Sequence, residues 1–171
     1  MIIVLKDAAK LGSAPGALRI RPAVQNDVEA LTRLINAAFV VERIAFEGNR
    51  INSEKVRSYI VNGCFLLAED SSGPAGCVYA EIRNDRGYVG LLSVDPPRQG
   101  AGLGRKLMDA AEDYFREAGC YGVDLRVISA RTALPPFYRH LGYSETGTAP
   151  FHAEVQTKIP CHYILMSKSL K

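Results

Sequence analysis

Val28, Leu31, Leu34, Ile35 and Ala38 recur at helical spacing, so the pattern predicts an amphipathic helix capped by Asn26 or Asp27. Before it, Leu18 and Ile20 alternate with Arg19 and Arg21, which predicts a strand over 17–21 that Pro22 ends. A shorter helix is expected over 53–61, capped by Ser53 and buried through Val56, Tyr59 and Ile60. The period then changes. Cys64–Ala68 reads as a buried strand, broken by Ser71, Ser72, Gly73 and Pro74. Residues 76–83 and 88–94 give two more strands around a turn at Asn84–Gly87, which makes an antiparallel meander.

Pro96 and Pro97 stop the sheet. Leu103, Leu107, Ala111, Tyr114 and Ala118 predict a helix over about 102–118, with Gly119 as its stop. Val123, Leu125 and Val127 alternate as a strand. Residues 132–140 form a short helix that tolerates Pro135 and Pro136 near its first turn. Closing strands are expected from Tyr143 onward and over 159–166. The expected fold is mixed α/β (α+β): about seven strands in a largely antiparallel sheet, flanked by about four helices.

The chain has 171 residues, a length that sets one domain as the default, here 1–171 with 1–16 as a loose lead-in. Hydrophobic residues are 47% and charged residues 23%, the balance of an ordinary globular protein rather than a disordered one. The formal charge of +3 is too small, and its basic residues too scattered, to imply nucleic acid. The apolar start Met1–Leu5 is too short for a leader or a membrane span, so neither is expected. Cys64, Cys77, Cys120 and Cys161 have no zinc or redox-pair spacing, which fits free thiols in a cytoplasmic setting.

The chemistry concentrates in Val94-Asp95-Pro96-Pro97-Arg98-Gln99-Gly100-Ala101-Gly102-Leu103-Gly104-Arg105, between a strand and a helix. Glycines let backbone amides approach a ligand, and a helix start adds unpaired N–H groups and the positive dipole end. Together these suit a phosphate or pyrophosphate. Arg98, Arg105 and Lys106 add charge. A dinucleotide-binding G-x-G-x-x-G fails because residue 105 is Arg, and a P-loop fails because Gly104 is followed by Arg105, Lys106 and Leu107.

Gln99-Gly100-Ala101-Gly102-Leu103-Gly104 resembles the Q/R-x-x-G-x-G/A motif of the GNAT acetyltransferases, and Val94-Asp95-Pro96 resembles the Val-x-Pro segment that leads into it. Farther on, Tyr138 followed by Leu141-Gly142-Tyr143 is similar to the family's later motif, a helix that carries a tyrosine and ends in Leu-Gly-Phe/Tyr. The resemblance runs over about 18–170 and is specific only at these two motifs. It implies a GNAT-like fold, acetyl-CoA as acetyl donor, and transfer to a primary amine of a small molecule or peptide. It also implies CoA contacts from Leu92, Ser93, Val94, Gln99, Gly100, Ala101, Gly102, Leu103, Gly104, Arg105, Arg131 and Tyr138, with the Tyr138 hydroxyl near the CoA sulfur. The strand over 88–94 is expected to splay from its neighbour near Gly90, so that backbone groups of Leu92 and Val94 meet the pantetheine arm. A homodimer would fit the resemblance, and no residue demonstrates one.

Two positions depart from the family pattern. Arg131 stands where many members have asparagine, and Tyr88 where some carry a catalytic glutamate. Glu81, mid-strand in an apolar run, is the carboxylate named first as general base, and His152 and His162 are candidates to line an acceptor pocket. Two other readings stand beside the transferase: a non-catalytic acyl-CoA-binding or sensor module, and a nucleotide-binding domain that uses the glycine loop alone.

Overall fold

A computed structural model describes residues 17–151 and 157–171. The lead-in over 1–16 and His152 lie outside the described residues. The strands are β1 (Arg19–Pro22), β2 (Cys64–Asp70), β3 (Gly73–Arg83), β4 (Arg86–Val94), β5 (Gly122–Ile128), β6 (Ser144–Pro150) and β7 (His162–Ser169). The helices are α1 (Val28–Ala38), α2 (Ser53–Asn62), α3 (Leu103–Glu117) and α4 (Leu134–His140). The sheet order is β1-β2-β3-β4-β5-β7-β6, and β4 with β5 is its parallel pair. The remaining pairs are antiparallel. This is the expected mixed α/β architecture.

Side-chain alternation along the strands decides which helices cover which face. On β2, Phe65 and Leu67 join Cys77 and Tyr79 of β3 beneath α1 and α2, packed with Val28, Leu31, Ile35 and Val56. The intervening Leu66 and Ala68 join Val78 and Ala80 on the opposite face, under α3 with Leu107, Met108, Ala111 and Phe115. Each fully buried Leu, Ile or Phe contributes on the order of 2 kcal/mol, so both faces anchor their helices firmly. No helix among the described residues is long and apolar enough to cross a membrane.

Local chemistry moves several boundaries. Asn52, not Ser53, caps α2: its side-chain oxygen accepts the Lys55 N–H at 2.8 Å. Asp27 stands at the start of α1 without capping it. Its carboxylate instead accepts from the Arg21 guanidinium at 2.7 and 2.9 Å and from the Val24 N–H at 2.8 Å. Gly73 and Pro74 begin β3 rather than breaking the chain between strands. A buried network ties α3 to the sheet: Glu112, 2% exposed, accepts from Lys168 at 2.7 and 2.9 Å, from Tyr143 at 3.1 Å and from Arg116 at 3.2 Å.

Candidate active site

β4 and β5 pair only from Arg86 opposite Gly122 to Val89 opposite Leu125, although β4 continues to Val94 and β5 to Ile128. Beyond Val89 the two strands part, as expected near Gly90. A bulge in β4 turns it away: its register with β3 shifts between Cys77 and Tyr79, and Leu91 takes φ 51°. The Ser93 hydroxyl fastens this bend by donating to the Leu91 carbonyl at 2.9 Å. A cavity of about 880 Å³ fills the opening, lined by Gly90, Leu91, Leu92 and Val94 on one side and 125–128 on the other.

At one end of this cavity stands the glycine loop. Gly100 and Gly102 take φ 84° and 77°, left-handed values that glycine reaches without a Cβ clash. The Lys106 N–H bonds the Gly102 carbonyl at 3.2 Å as α3 begins. The N–H groups of Leu103, Gly104 and Arg105 precede that bond, in the turn where helix donors lack an intrahelical partner. The first turn carries no acidic residue to occupy them. Gly102, Leu103, Gly104 and Arg105 line the cavity, as do Gln99 and Gly100.

Other expected phosphate contacts sit differently. Arg98 is engaged by Asp70 at 2.7 and 3.2 Å and lies 3.8 Å from Asp95, so its charge pins the loop to the β2 end. Gln99 donates its amide to the Val94 carbonyl at 3.1 Å, which occupies that oxygen. Ser93 is 1% exposed and, like Ala101, is not part of the cavity wall.

Tyr138 projects from α4 into the wall of the cleft, 6% exposed and packed on Phe137 and Tyr143. Pro135 and Pro136 fall in the first turn of this helix, where no intrahelical N–H bond is lost. Burial pushes the Tyr138 phenol well above its ordinary range, against a smaller opposing pull from Arg131.

The base candidates separate. Glu81 is not part of the cavity wall, and its carboxylate accepts from Arg83 at 2.8 Å and from Tyr79 at 3.4 Å. His162 is exposed at the start of β7 and also stands off the wall. Glu42, which sequence reasoning missed, does line the cavity with its side chain 8% exposed. It lies 3.4 Å from Arg131 and 3.8 Å from Arg50, and burial nevertheless raises its carboxyl above the usual range. Its signal was present: Glu42 continues the inward stripe of Val28, Leu31, Ile35 and Ala38 by one more turn.

A parted parallel pair that leads to a glycine-rich helix start is the architecture of the GNAT class. The chain belongs to the Acetyltransferase (GNAT) family, whose model matches residues 29–143. It is 29% identical over 141 residues to a mycothiol acetyltransferase of Propionibacterium freudenreichii, covering 78% of this chain and 45% of that protein. A glucosamine 6-phosphate N-acetyltransferase of Oryza sativa is 28% identical over 149 residues, covering 81% of this chain and 88% of that one. The chain thus spans less than half the length of the mycothiol acetyltransferases it matches. The Salmonella typhimurium protein yncA, solved with its cofactor acetyl-CoA, superposes with a TM-score of 0.73 at 21% identity, covering 91% of this chain and 95% of that one. That likeness bears on the fold.

Proposed function

We propose that this chain transfers the acetyl group of acetyl-CoA to a primary amine of a small molecule or peptide by direct attack. The observation that carries the reading is the opening between β4 and β5 with the glycine loop at its end. The N–H groups of Leu103, Gly104 and Arg105 suit the CoA pyrophosphate, supported by the dipole of α3. The parted edge of β4 from Gly90 to Leu92 supplies backbone groups for the pantetheine arm, and an N–H there can polarise the thioester carbonyl. The family and its named acetyltransferase relatives do not favour the non-catalytic sensor reading.

Within this reading Tyr138 donates a hydrogen bond to the departing thiolate. With ordinary pKa values near 10 and 8.5, full proton transfer from the phenol would already be uphill by about 2 kcal/mol. Burial of Tyr138 makes it harder, so the proton stays on the phenol. The proton of the attacking amine goes to Glu42, which lines the cleft, in place of Glu81, which does not. Free thiols at all four cysteines fit a reducing, cytoplasmic setting.

Calorimetric titration with acetyl-CoA tests the donor site. Micromolar binding, about 8 kcal/mol, is expected for the wild type. Gly102→Asp should abolish it, while Gly102→Ala carries the same backbone strain without the repelling charge and should bind more tightly than the aspartate variant. No heat with wild type, or full affinity in Gly102→Asp, would overturn the assignment.

A further inference from the structure

Away from the glycine loop, the cavity wall carries six cations, Arg43, Arg50, Lys55, Arg83, Arg126 and Arg131, against two carboxylates, Glu42 and Glu47. These two carboxylates do not neutralise them. Glu47 points to solvent at 85% exposure, where Lys158 lies 3.4 Å away. Glu42 is shared between Arg50 and Arg131. Arg126 has no carboxylate within ion-pair reach among the described residues; its guanidinium lies 4.7 Å from the Tyr163 ring centre and 6.0 Å from that of Tyr88. Arg83 also meets Tyr88: its guanidinium stands 3.6 Å from the same ring centre and bonds Glu81 at 2.8 Å.

Aromatic rings therefore hold the Arg126 guanidinium in place without discharging it, whereas Arg83 shares its charge with Glu81. Like charges gathered at a cavity wall repel one another, and an anion relieves that repulsion. The same field disfavours an acceptor with a second cationic group. We infer that the acceptor is an amine that also carries an anionic group, a carboxylate or a phosphate, seated against Arg126 and Arg50 with its amine toward Glu42. This inference rests on the acyl-transfer reading above and adds the chemical class of the acceptor. Guanidinium forks match both oxyanions, so the shared chemistry is a tetrahedral or planar oxyanion within one small molecule's length of a primary amine.

The test uses four probes of one skeleton: ethylenediamine, ethanolamine, β-alanine and O-phosphoethanolamine. CoA release gives kcat/KM for each, and ligand-observed NMR gives binding of the same probes to the protein with and without CoA, so the preference is read even without turnover. An anionic probe should exceed ethanolamine by about tenfold, the worth of one charge-assisted hydrogen bond, and ethylenediamine should be the poorest. The preference should shrink in high salt, and in Arg126→Gln with acetyl-CoA affinity unchanged. β-Alanine ahead of O-phosphoethanolamine identifies a carboxylate acceptor, and the reverse a phosphate. Equal or better use and binding of ethanolamine or ethylenediamine overturns the inference while leaving the transferase reading intact. Loss of acetyl-CoA binding in the calorimetric titration would instead sink the transferase reading.

Discussion

Replacing Glu42 with glutamine separates its chemistry from its packing. The carboxylate side chain is 8% exposed, with Arg131 at 3.4 Å and Arg50 at 3.8 Å. At an effective dielectric of about 20, a cation at such distances attracts it by on the order of 4 kcal/mol. Arg50 is 46% exposed, so water screens its share. Desolvation outweighs both, because the carboxyl is raised rather than lowered. A carboxyl raised by folding holds its proton longer in the native state than in the unfolded one. Stability therefore falls as pH rises from about 4.3 through the folded value, and is flat above it. Glu42→Gln removes that penalty, so the variant should melt no lower than wild type at pH 7, and the two should converge at acid pH. Turnover should move the other way. A lysine-like amine costs about 4.6 kcal/mol to deprotonate at pH 7, against about 1.4 for an α-amine near 8. Loss of a general base typically removes a factor of about 100 to 10,000, and the lysine-like acceptor should suffer more. The assay is CoA release from pH 5.5 to 9.5 on about one-unit steps, with acetyl-CoA affinity measured alongside. Undiminished turnover with an unchanged pH profile would remove Glu42 as the base.

Tyr138→Phe should lower turnover while acetyl-CoA affinity holds, and unchanged turnover would take the phenol out of the mechanism. Glu112→Leu leaves Lys168 and Tyr143 without their buried acceptor and should cost about 3 kcal/mol in urea denaturation; a loss under about 1 kcal/mol would show that the network adds little. Burial pushes Cys64 up to about 11 and Cys77 up to about 12. Thiol reagents at neutral pH should therefore label Cys77 only after unfolding, and stability should decline with pH above about 8.5, where the unfolded thiols ionise first.

The helices and the meander were legible because each rests on a local period. The five apolar positions from Val28 to Ala38 are all buried in α1, and the apolar run of 64–68 became β2, buried on both faces. Boundaries drifted where a side chain had two uses: Asp27 pairs with Arg21 instead of capping, and Asn52 lies one residue before the expected cap. The strand order was not legible. Nothing local in 162–169 says that β7 inserts between β5 and β6, since that pairing depends on contacts between distant segments. In the site, the glycine motif carried its own backbone geometry and was found. The partners of Arg98 and Gln99, Asp70 and the Val94 carbonyl, were not legible because the folded loop sets them.

The displaced base follows from the same sheet. Tyr88 stands where some members of the family carry a catalytic glutamate, and here its ring centre lies 3.6 Å from the Arg83 guanidinium and 6.0 Å from that of Arg126. A carboxylate at that position would meet two guanidiniums, which would lower its pKa and weaken it as a base. It would also discharge Arg126, the cation that the proposed acceptor anion needs. An aromatic ring meets both guanidiniums without adding a negative charge beside Arg126. In the proposed reading the carboxylate comes from another wall, where Glu42 lies in the short helical segment Phe39–Ile44 that follows α1. There burial raises Glu42 despite Arg50 and Arg131, moving it toward the range where a general base works near neutral pH. Tyr88 and Glu42 are thus two halves of one arrangement. Tyr88→Glu should lose the preference for anionic amines without restoring activity to Glu42→Gln, and restored activity would break the link between them.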